Sequence, residues 1–212
     1  TLTTVPKPGA HVRRAGEDMG HGAEVLAPGC HLGAREIAAC AAAGQGEVSV
    51  HRRIRVALLT TGDELAVAGS DLERAQIWDV NGPMIAAAIP QAAFDVVSLS
   101  AAGDDPEALR IHLSGLLAQS DLVVTSGGIS VGEADFVKPV MQALGVEELF
   151  SGVAIKPGKP VSFGRLKACF WLGLPGNPVS AFVTWMLFGR HLLQHLSGES
   201  RRRSMRRHVV LG

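Results

Sequence analysis

The sequence lacks the features that mark several classes of protein. Acidic and basic residues balance at 20 each over 212 residues, and this absence of net charge argues against a chain that coats nucleic acid or an anionic membrane. Only three cysteines are present, an odd number without Cys-x-x-Cys spacing, which excludes a disulfide scaffold. We therefore expect a reduced, cytoplasmic protein with neither nucleic acid nor a membrane among its partners.

We expect neither a membrane span nor a signal peptide in this sequence. Apolar runs such as Val179 to Phe188 fall short of the roughly 18 residues that a transmembrane helix needs. The first nine residues contain two prolines and no apolar signal-peptide core. Because 47% of the residues are hydrophobic and only 19% are charged, the chain is expected to fold rather than to remain disordered. It begins with Thr1 rather than Met, and we interpret it as a fragment or a processed product.

Several common motifs are absent as well. No Walker motif and no Gly-x-Gly-x-x-Gly is present, so P-loop and Rossmann readings have no support. His191 and His195 have the spacing of a helical zinc pair, but no Glu follows His191 and no Cys lies nearby, so we do not expect zinc there. Cys169 lies in an apolar run and is interpreted as a core residue.

The composition divides the chain into three parts. Residues 1–50 are interrupted by many glycines and prolines and cannot bury a core alone, although Ala34 to Ala43 predicts a short helix ended by Gly44. Residues 51–198 form the predicted main domain. Residues 199–212 contain five arginines between positions 201 and 207, which we interpret as a solvated linker or the start of a further element.

Strands and helices alternate through the main domain. Short apolar runs predict strands, and Asn81, Asp105 and Asn177 begin predicted helices, with Pro106 and Pro178 at the first helical position after the last two caps. The predicted strands are Ile54–Thr60, Val96–Leu99, Leu122–Thr125, Gly152–Ile155, Val161–Gly164 and Cys169–Leu174, and the predicted helices are 81–89, 105–117, 135–144 and 177–196. This alternation is typical of an α/β fold with a mostly parallel sheet sandwiched by helices.

Acidic and glycine-rich loops follow the predicted strands, at the sheet edge where such folds bind ligands. Glu64 follows the first strand, Asp104 the second, and Ser126 to Gly132 follows the third and leads to Asp135. The N–H groups of the glycines can bind an anion such as a phosphate. Carboxylates beside such a group favour Mg²⁺, which binds carboxylate and phosphate oxygens together. We therefore predict functional roles for Glu64 and Asp135. Asp105 is expected only to cap a helix, whereas for Asp63 a hydrogen bond within its own turn is the structural alternative to a functional role.

Two further loops favour the binding of an anion. Lys156 and Lys159 alternate with prolines that stiffen the backbone. The segment that ends at Pro160 is therefore predicted to form a rigid cationic loop. Gly173 to Ser180 contains Asn177 and Pro178 at the beginning of the last helix, and the N–H groups of a helix N-terminus attract anions.

Five of these segments, taken in order, resemble the molybdopterin molybdenumtransferase family, which includes the gephyrin E domain. Each motif is short, but five in the same order are highly specific. Arg13 to Asp18 is similar to the family segment that precedes its first domain. The five segments are Thr61–Leu65, Asp79–Asn81, Ser126–Asp135, Ile155–Pro160 and Gly173–Ser180.

The resemblance implies the molybdopterin-binding fold and the Mg²⁺-dependent insertion of molybdenum from molybdate into adenylated molybdopterin, with release of AMP. It implies catalytic roles for Glu64, Asp104 and Asp135, with Glu64 and Asp135 as the magnesium ligands. It also implies a homodimer in which Asp18 faces the partner's active site, and molybdoenzymes that receive the cofactor. The implied pterin- and phosphate-binding residues are Thr61, Gly62, Asp63, Asn81, Ser126, Gly127, Gly128, Ser130, Gly176 and Asn177, and the implied molybdate-binding residues are Lys156, Lys159, Pro160 and Ser180.

Family members are longer than this chain. By resemblance, residues 1–50 are part of an elongated N-terminal domain, and residues 199–212 are a linker or the start of a C-terminal β-domain. One alternative is an enzyme similar to molybdopterin adenylyltransferase, which is not expected to carry the segments 156–160 and 174–178. Another is a non-catalytic binding or scaffold domain of the same fold, although the sequence marks no peptide groove.

Overall fold

The computed structural model describes residue 5 and residues 7–129 and 135–200. His51–Ser197 form one compact unit, and the described residues on either side of this range form a second. Ser130 and the arginine-rich run after position 200 lie outside the described residues. The α-helices are α1 (Ala34–Ala42), α2 (Asn81–Ala87), α3 (Pro106–Gln119), α4 (Val137–Ala143), α5 (Pro178–Thr184) and α6 (Arg190–Leu196), and the strands are β1 (Ile54–Thr61), β2 (Leu65–Ala66), β3 (Ile77–Trp78), β4 (Phe94–Ala102), β5 (Leu122–Ser126), β6 (Glu147–Ser151), β7 (Ser162–Leu166) and β8 (Cys169–Leu174).

The smaller unit contains the predicted helix α1. The Gly33 N–H donates a hydrogen bond to the Glu36 carboxylate at 3.1 Å, which satisfies one of the free donors at the helix N-terminus. Gly44 has φ +77°, the left-handed conformation that commonly ends a helix and favours glycine.

The larger unit is built on a six-stranded sheet with the order β4-β1-β5-β8-β7-β6. The first four strands are parallel, and β7 and β6 complete the sheet in antiparallel pairing. The prediction of a mostly parallel α/β fold is confirmed. Strand β1 lies inside the sheet, and all of its residues except Arg55 are buried, as expected for a parallel strand covered on both faces.

The two faces of the sheet carry separate hydrophobic clusters. Alternate residues of β1 point to opposite faces, so Leu58 packs with Ile85 and Trp185 on one side, whereas Leu59 packs with Trp171 on the other. The predicted stripe on α3 is confirmed, because Leu109, Leu113, Leu116 and Leu117 are all buried in the second cluster.

Three predicted elements differ from the structure. Gly152–Ile155 is not a strand: the strand is β6, whose edge position and alternating polar residues weaken its apolar signal, and Gly152 at φ +74° turns the chain. Helix α4 begins at Val137, which leaves Asp135 in the preceding loop. The last helix is interrupted between α5 and α6 by a π-helical segment at Trp185–Gly189.

None of the helices in the described ranges is long and apolar enough to cross a membrane.

Candidate functional site

A cavity of about 530 Å³ lies at the carboxyl ends of β1, β5 and β8 in the larger unit. Loops from distant parts of the sequence form its walls, as is usual at this edge of an α/β sheet. Its lining residues are Thr61, Gly62, Glu64, Leu65, Ile77, Trp78, Asp79, Val80, Asn81, Asp104, Ser126, Gly127, Gly128, Ile129, Asp135, Pro160, Pro175, Gly176, Asn177, Pro178 and Ser180.

The structure brings most of the sequence-predicted site residues to this cavity. The exceptions within the larger unit are Asp63, Lys156 and Lys159, which do not line it. Ser130 lies outside the described residues. Asp18 belongs to the smaller unit, where its carboxylate pairs with Arg13.

The carboxylates at the cavity influence one another. The pKa of Asp104 is raised above its usual range, mainly because the group is partly buried; a hydrogen bond from the Asp63 backbone lowers it, and the negative charges of Asp63, Glu64 and Asp135 raise it further. These acidic groups therefore lie close enough to repel each other. The resulting negative potential favours a bound cation.

Asp63 positions Asp104 rather than binding to its own turn. The Asp104 N–H donates to Asp63 Oδ1 at 2.9 Å, and the Asp63 N–H donates to Asp104 Oδ2 at 3.4 Å. The hydrogen-bond partner of Asp63 comes from the loop after the neighbouring strand β4 rather than from its own turn. This reciprocal pair ties together the two acidic loops.

Gly62 leaves room for the Glu64 carboxylate. Its φ of +146° is rarely adopted by other residues, and a Cβ at this position would lie 2.7 Å from Glu64 Oε1. Any side chain at residue 62 would have to displace the carboxylate that faces the cavity.

The glycine loop after β5 lies directly against the end of β1. A Cβ on Gly127 would lie 2.5 Å from the Thr61 carbonyl oxygen, and one on Gly128 would lie 3.0 Å from Thr61 Oγ1. Both glycines have positive φ. Thr61 Oγ1 is buried and has no hydrogen-bond partner in the described part of the chain, so the floor of the cavity holds an unused polar atom.

Asn81 connects three loops of the site. Its Nδ2 donates to Ser126 Oγ at 2.9 Å and to the Gly176 carbonyl at 2.7 Å, and Ser126 Oγ donates to the Pro175 carbonyl at 3.0 Å. Asn81 is buried, and its donor groups bind protein atoms. It therefore holds the glycine loop and the Pro175–Gly176 turn in place.

Sequence reasoning assigned no role to Asp79, although it lines the cavity and supports Asn81. Its Oδ1 accepts from the N–H groups of Asn81 and Gly82 at 2.9 and 3.1 Å, and its Oδ2 accepts from Thr60 Oγ1 at 2.9 Å. It thereby satisfies two free donors at the start of α2 and links this helix to β1. The signal available in the sequence was an aspartate just before a helix start, a common capping position.

Sequence reasoning also missed an apolar wall of the cavity. It is formed by Leu65, Ile77, Trp78 and Val80, on and beside the short strands β2 and β3. An Ile-Trp pair within an otherwise polar loop was the available signal.

The N–H groups at the start of α5 are already partly used. The Asn177 side chain accepts from the N–H groups of Val179 and Ser180 at 3.1 and 3.3 Å, which confirms the predicted cap. Ser180 lines the cavity beside Pro160. Lys156 and Lys159 are exposed. The cationic loop therefore reaches the cavity through Pro160, while both ammonium groups remain accessible to solvent.

Among residues 7–129 and 135–200, no group of three or more His, Cys, Asp or Glu side chains is placed to hold a metal ion by itself. A cation at Glu64 and Asp135 would therefore need oxygens from a ligand or water as well. Mg²⁺ is commonly bound in this way.

The fold and the cavity together define an α/β domain with a cavity at the carboxyl edge of its parallel strands. Residues 57–195 match the family model described as "Probable molybdopterin binding domain", and the chain belongs to that family.

Named relatives agree with this assignment. The chain is 39% identical over 199 residues to a molybdopterin molybdenumtransferase of Haemophilus influenzae, covering 94% of this chain and 49% of that protein. It is 36% identical over 200 residues to the protein of the same name from Nostoc, covering 93% and 46%. A crystal structure of a molybdopterin biosynthesis MoeA protein from Pyrococcus horikoshii superimposes with a TM-score of 0.76 at 33% identity, covering 87% and 46%. The chain spans about half the length of the curated relatives it matches.

Proposed function

We propose that this chain takes part in molybdenum cofactor biosynthesis by inserting molybdenum from molybdate into adenylated molybdopterin, with release of AMP. The observation that carries the proposal is the convergence of Glu64, Asp104 and Asp135 on one cavity with the loop at Gly127 and Gly128. The names of the relatives support molybdopterin and molybdenum as substrates; molybdate, the adenylated form and AMP are implied by the family resemblance. The segments 156–160 and 174–178 favour this activity over that of an adenylyltransferase, which is not expected to carry them.

Glu64 and Asp135 are the residues that would hold Mg²⁺. The pKa of Asp104 is raised first by burial and then by the negative charges of Asp63, Glu64 and Asp135. The grouping of these carboxylates supports a cation at this place, and carboxylate oxygens are the ligands that this hard ion prefers. The ion would neutralise negative charge on the phosphoanhydride of the adenylated substrate while AMP is released. Asp104, held by Asp63, keeps the acidic loops at a fixed spacing.

The pterin phosphate would be held by the loops that Asn81 connects. The proposed contacts are Thr61, Gly62 and Asp63 after β1, Ser126 to Ser130 after β5, and Gly176 and Asn177 before α5. The unpaired hydroxyl of Thr61 supports a polar ligand at the floor of the cavity.

Molybdate would bind where Pro160 and Ser180 line the cavity, with Lys156 and Lys159 supplying positive charge. Two ammonium groups would offset the charge of the dianion. The loop between the lysines is closely packed at Gly158, because a Cβ there would collide with Thr184 Cγ2 and lie 3.2 Å from Ile155 Cδ1.

The assembly is also part of the proposal. We place Asp18 at the active site of the partner subunit in a homodimer, and we place the reaction in the cytoplasm, upstream of the molybdoenzymes that receive the cofactor. The three cysteines are unpaired thiols, which supports a reducing compartment.

The proposal is tested by AMP release from adenylated molybdopterin, measured with and without molybdate and Mg²⁺. We expect Glu64→Gln to abolish metal-dependent release, because a neutral amide is a poor magnesium ligand. Glu73→Gln is the matched control, since Glu73 is exposed and does not line the cavity. Equal rates for wild type and Glu64→Gln would refute the site assignment.

A further inference from the structure

The wall formed by Leu65, Ile77, Trp78 and Val80 differs from the rest of the cavity. Ile77, Trp78 and Val80 are each about half exposed, although large apolar side chains usually lie in the core. The other lining residues include the carboxylates and the glycine loop. Exposed apolar surface inside a ligand cavity generally contributes to binding.

Trp78 is held in a fixed orientation. Its indole N–H donates to the Ser70 carbonyl at 3.1 Å. The backbone on either side is also fixed, because the Ile77 N–H donates to the Glu64 carbonyl and the Asp79 N–H to the Ala66 carbonyl, both at 2.8 Å. The indole is therefore oriented before a ligand arrives, on backbone that is hydrogen-bonded to Glu64.

Core packing does not account for the exposure of Trp78. Trp171 and Trp185, the other tryptophans of the chain, are each only 1% exposed, whereas Trp78 is 49% exposed. Its polar atom is already satisfied, so the surface that remains is aromatic. Such surfaces stack against planar rings.

We propose that Trp78, flanked by Ile77 and Val80, is a specificity-determining platform that stacks on the planar heteroaromatic ring of a phosphate-bearing ligand. The inference rests on the proposed function, in which the substrate carries two such rings, the pterin and the adenine. The acidic and glycine-rich side takes the phosphate end, and the apolar wall takes a ring. Trp78 thereby selects ligands that carry a ring over simple phosphates.

The test measures binding of AMP, hydroxymethylpterin and ribose phosphate by calorimetry, using the whole chain. We expect Trp78→Ala to weaken binding of at least one ring-bearing probe about tenfold, the usual effect of removing an aromatic stacking partner. Trp78→Phe should retain most of the affinity, because it keeps an aromatic face. Ile111→Ala is the matched control, since Ile111 is exposed on α3 and does not line the cavity.

Ribose phosphate separates stacking from a general structural defect. Its affinity should be the same in wild type and Trp78→Ala, because it has no ring to stack. A loss confined to AMP would place adenine on Trp78, and a loss confined to the pterin would place the pterin there; either supports the platform. An unchanged affinity for both rings, an equal loss for ribose phosphate, or a wild-type chain that binds neither ring would overturn it.

Fluorescence gives an independent readout, because Trp78 is the exposed tryptophan of the three. AMP should quench the emission of the wild type but not that of Trp78→Phe if adenine occupies the platform. Neither measurement requires turnover. If the chain stacks a ring on Trp78 but releases no AMP, this inference is supported and the proposed function is refuted.

Discussion

Replacing Asn81 tests whether its side chain joins the loops of the site as the structure indicates. Asn81→Ala removes two hydrogen bonds, to Ser126 Oγ at 2.9 Å and to the Gly176 carbonyl at 2.7 Å. Each bond contributes about 1 kcal/mol net to the free energy of unfolding, and leaving the carbonyl unpaired lowers it by about 1 kcal/mol more. Asn81 Oδ1 is buried without a partner, so its removal raises the free energy of unfolding by about 1 kcal/mol. The free energy of unfolding should therefore fall by about 2 kcal/mol.

The Asn81→Asp variant makes the test sharper. Aspartate keeps the shape of the side chain but places an acceptor against the two acceptors that Nδ2 now contacts. It should therefore lower the free energy of unfolding more than alanine does, although it is the smaller change in volume. Urea unfolding followed by the fluorescence of the buried Trp171 and Trp185 measures both variants. An aspartate variant more stable than the alanine variant would refute the orientation of the amide and the reasoning built on it.

Two further predictions concern groups away from the cavity. Asp121 accepts hydrogen bonds from the guanidinium groups of Arg52 and Arg55, which hold its pKa below the usual range. The stabilisation from these bonds is present above the unfolded pKa of about 4 and is lost as the pH falls through the folded pKa. The difference in urea midpoint between wild type and Asp121→Asn should therefore disappear in acid. An unchanged difference at low pH would contradict this linkage. Burial raises the pKa of the Cys169 thiol to about 11. At neutral pH Cys169 should therefore react with an alkylating reagent much more slowly than the half-buried Cys30 and Cys40. Mass spectrometry of the modified peptides measures the order in which the three cysteines react. Preferential labelling of Cys169 in the folded protein would show that its side chain is accessible.

The predictions that succeeded rest on signals contained in neighbouring residues. The apolar run at β1, the leucine stripe on α3 and the caps at Asp105 and Asn177 each depend on a few consecutive positions. The same is true of the acidic and glycine-rich loops, because a parallel strand ends where its apolar run ends. These signals predicted the fold class, and together with the family resemblance they predicted most of the residues that line the cavity. It missed β6, since an edge strand with alternating polar residues carries little apolar signal.

Only the tertiary structure decided which groups of the site contact one another. The reciprocal bonds of Asp63 and Asp104 require β4 to lie beside β1, and the bonds of Asn81 join residues 45 and 95 positions apart in the sequence. Strand order and register are set by the packing of the whole sheet, and no local pattern encodes them. The exposure of Trp78 was hidden for the same reason: a tryptophan in a sequence predicts burial, and only the folded chain places this one on the wall of a cavity.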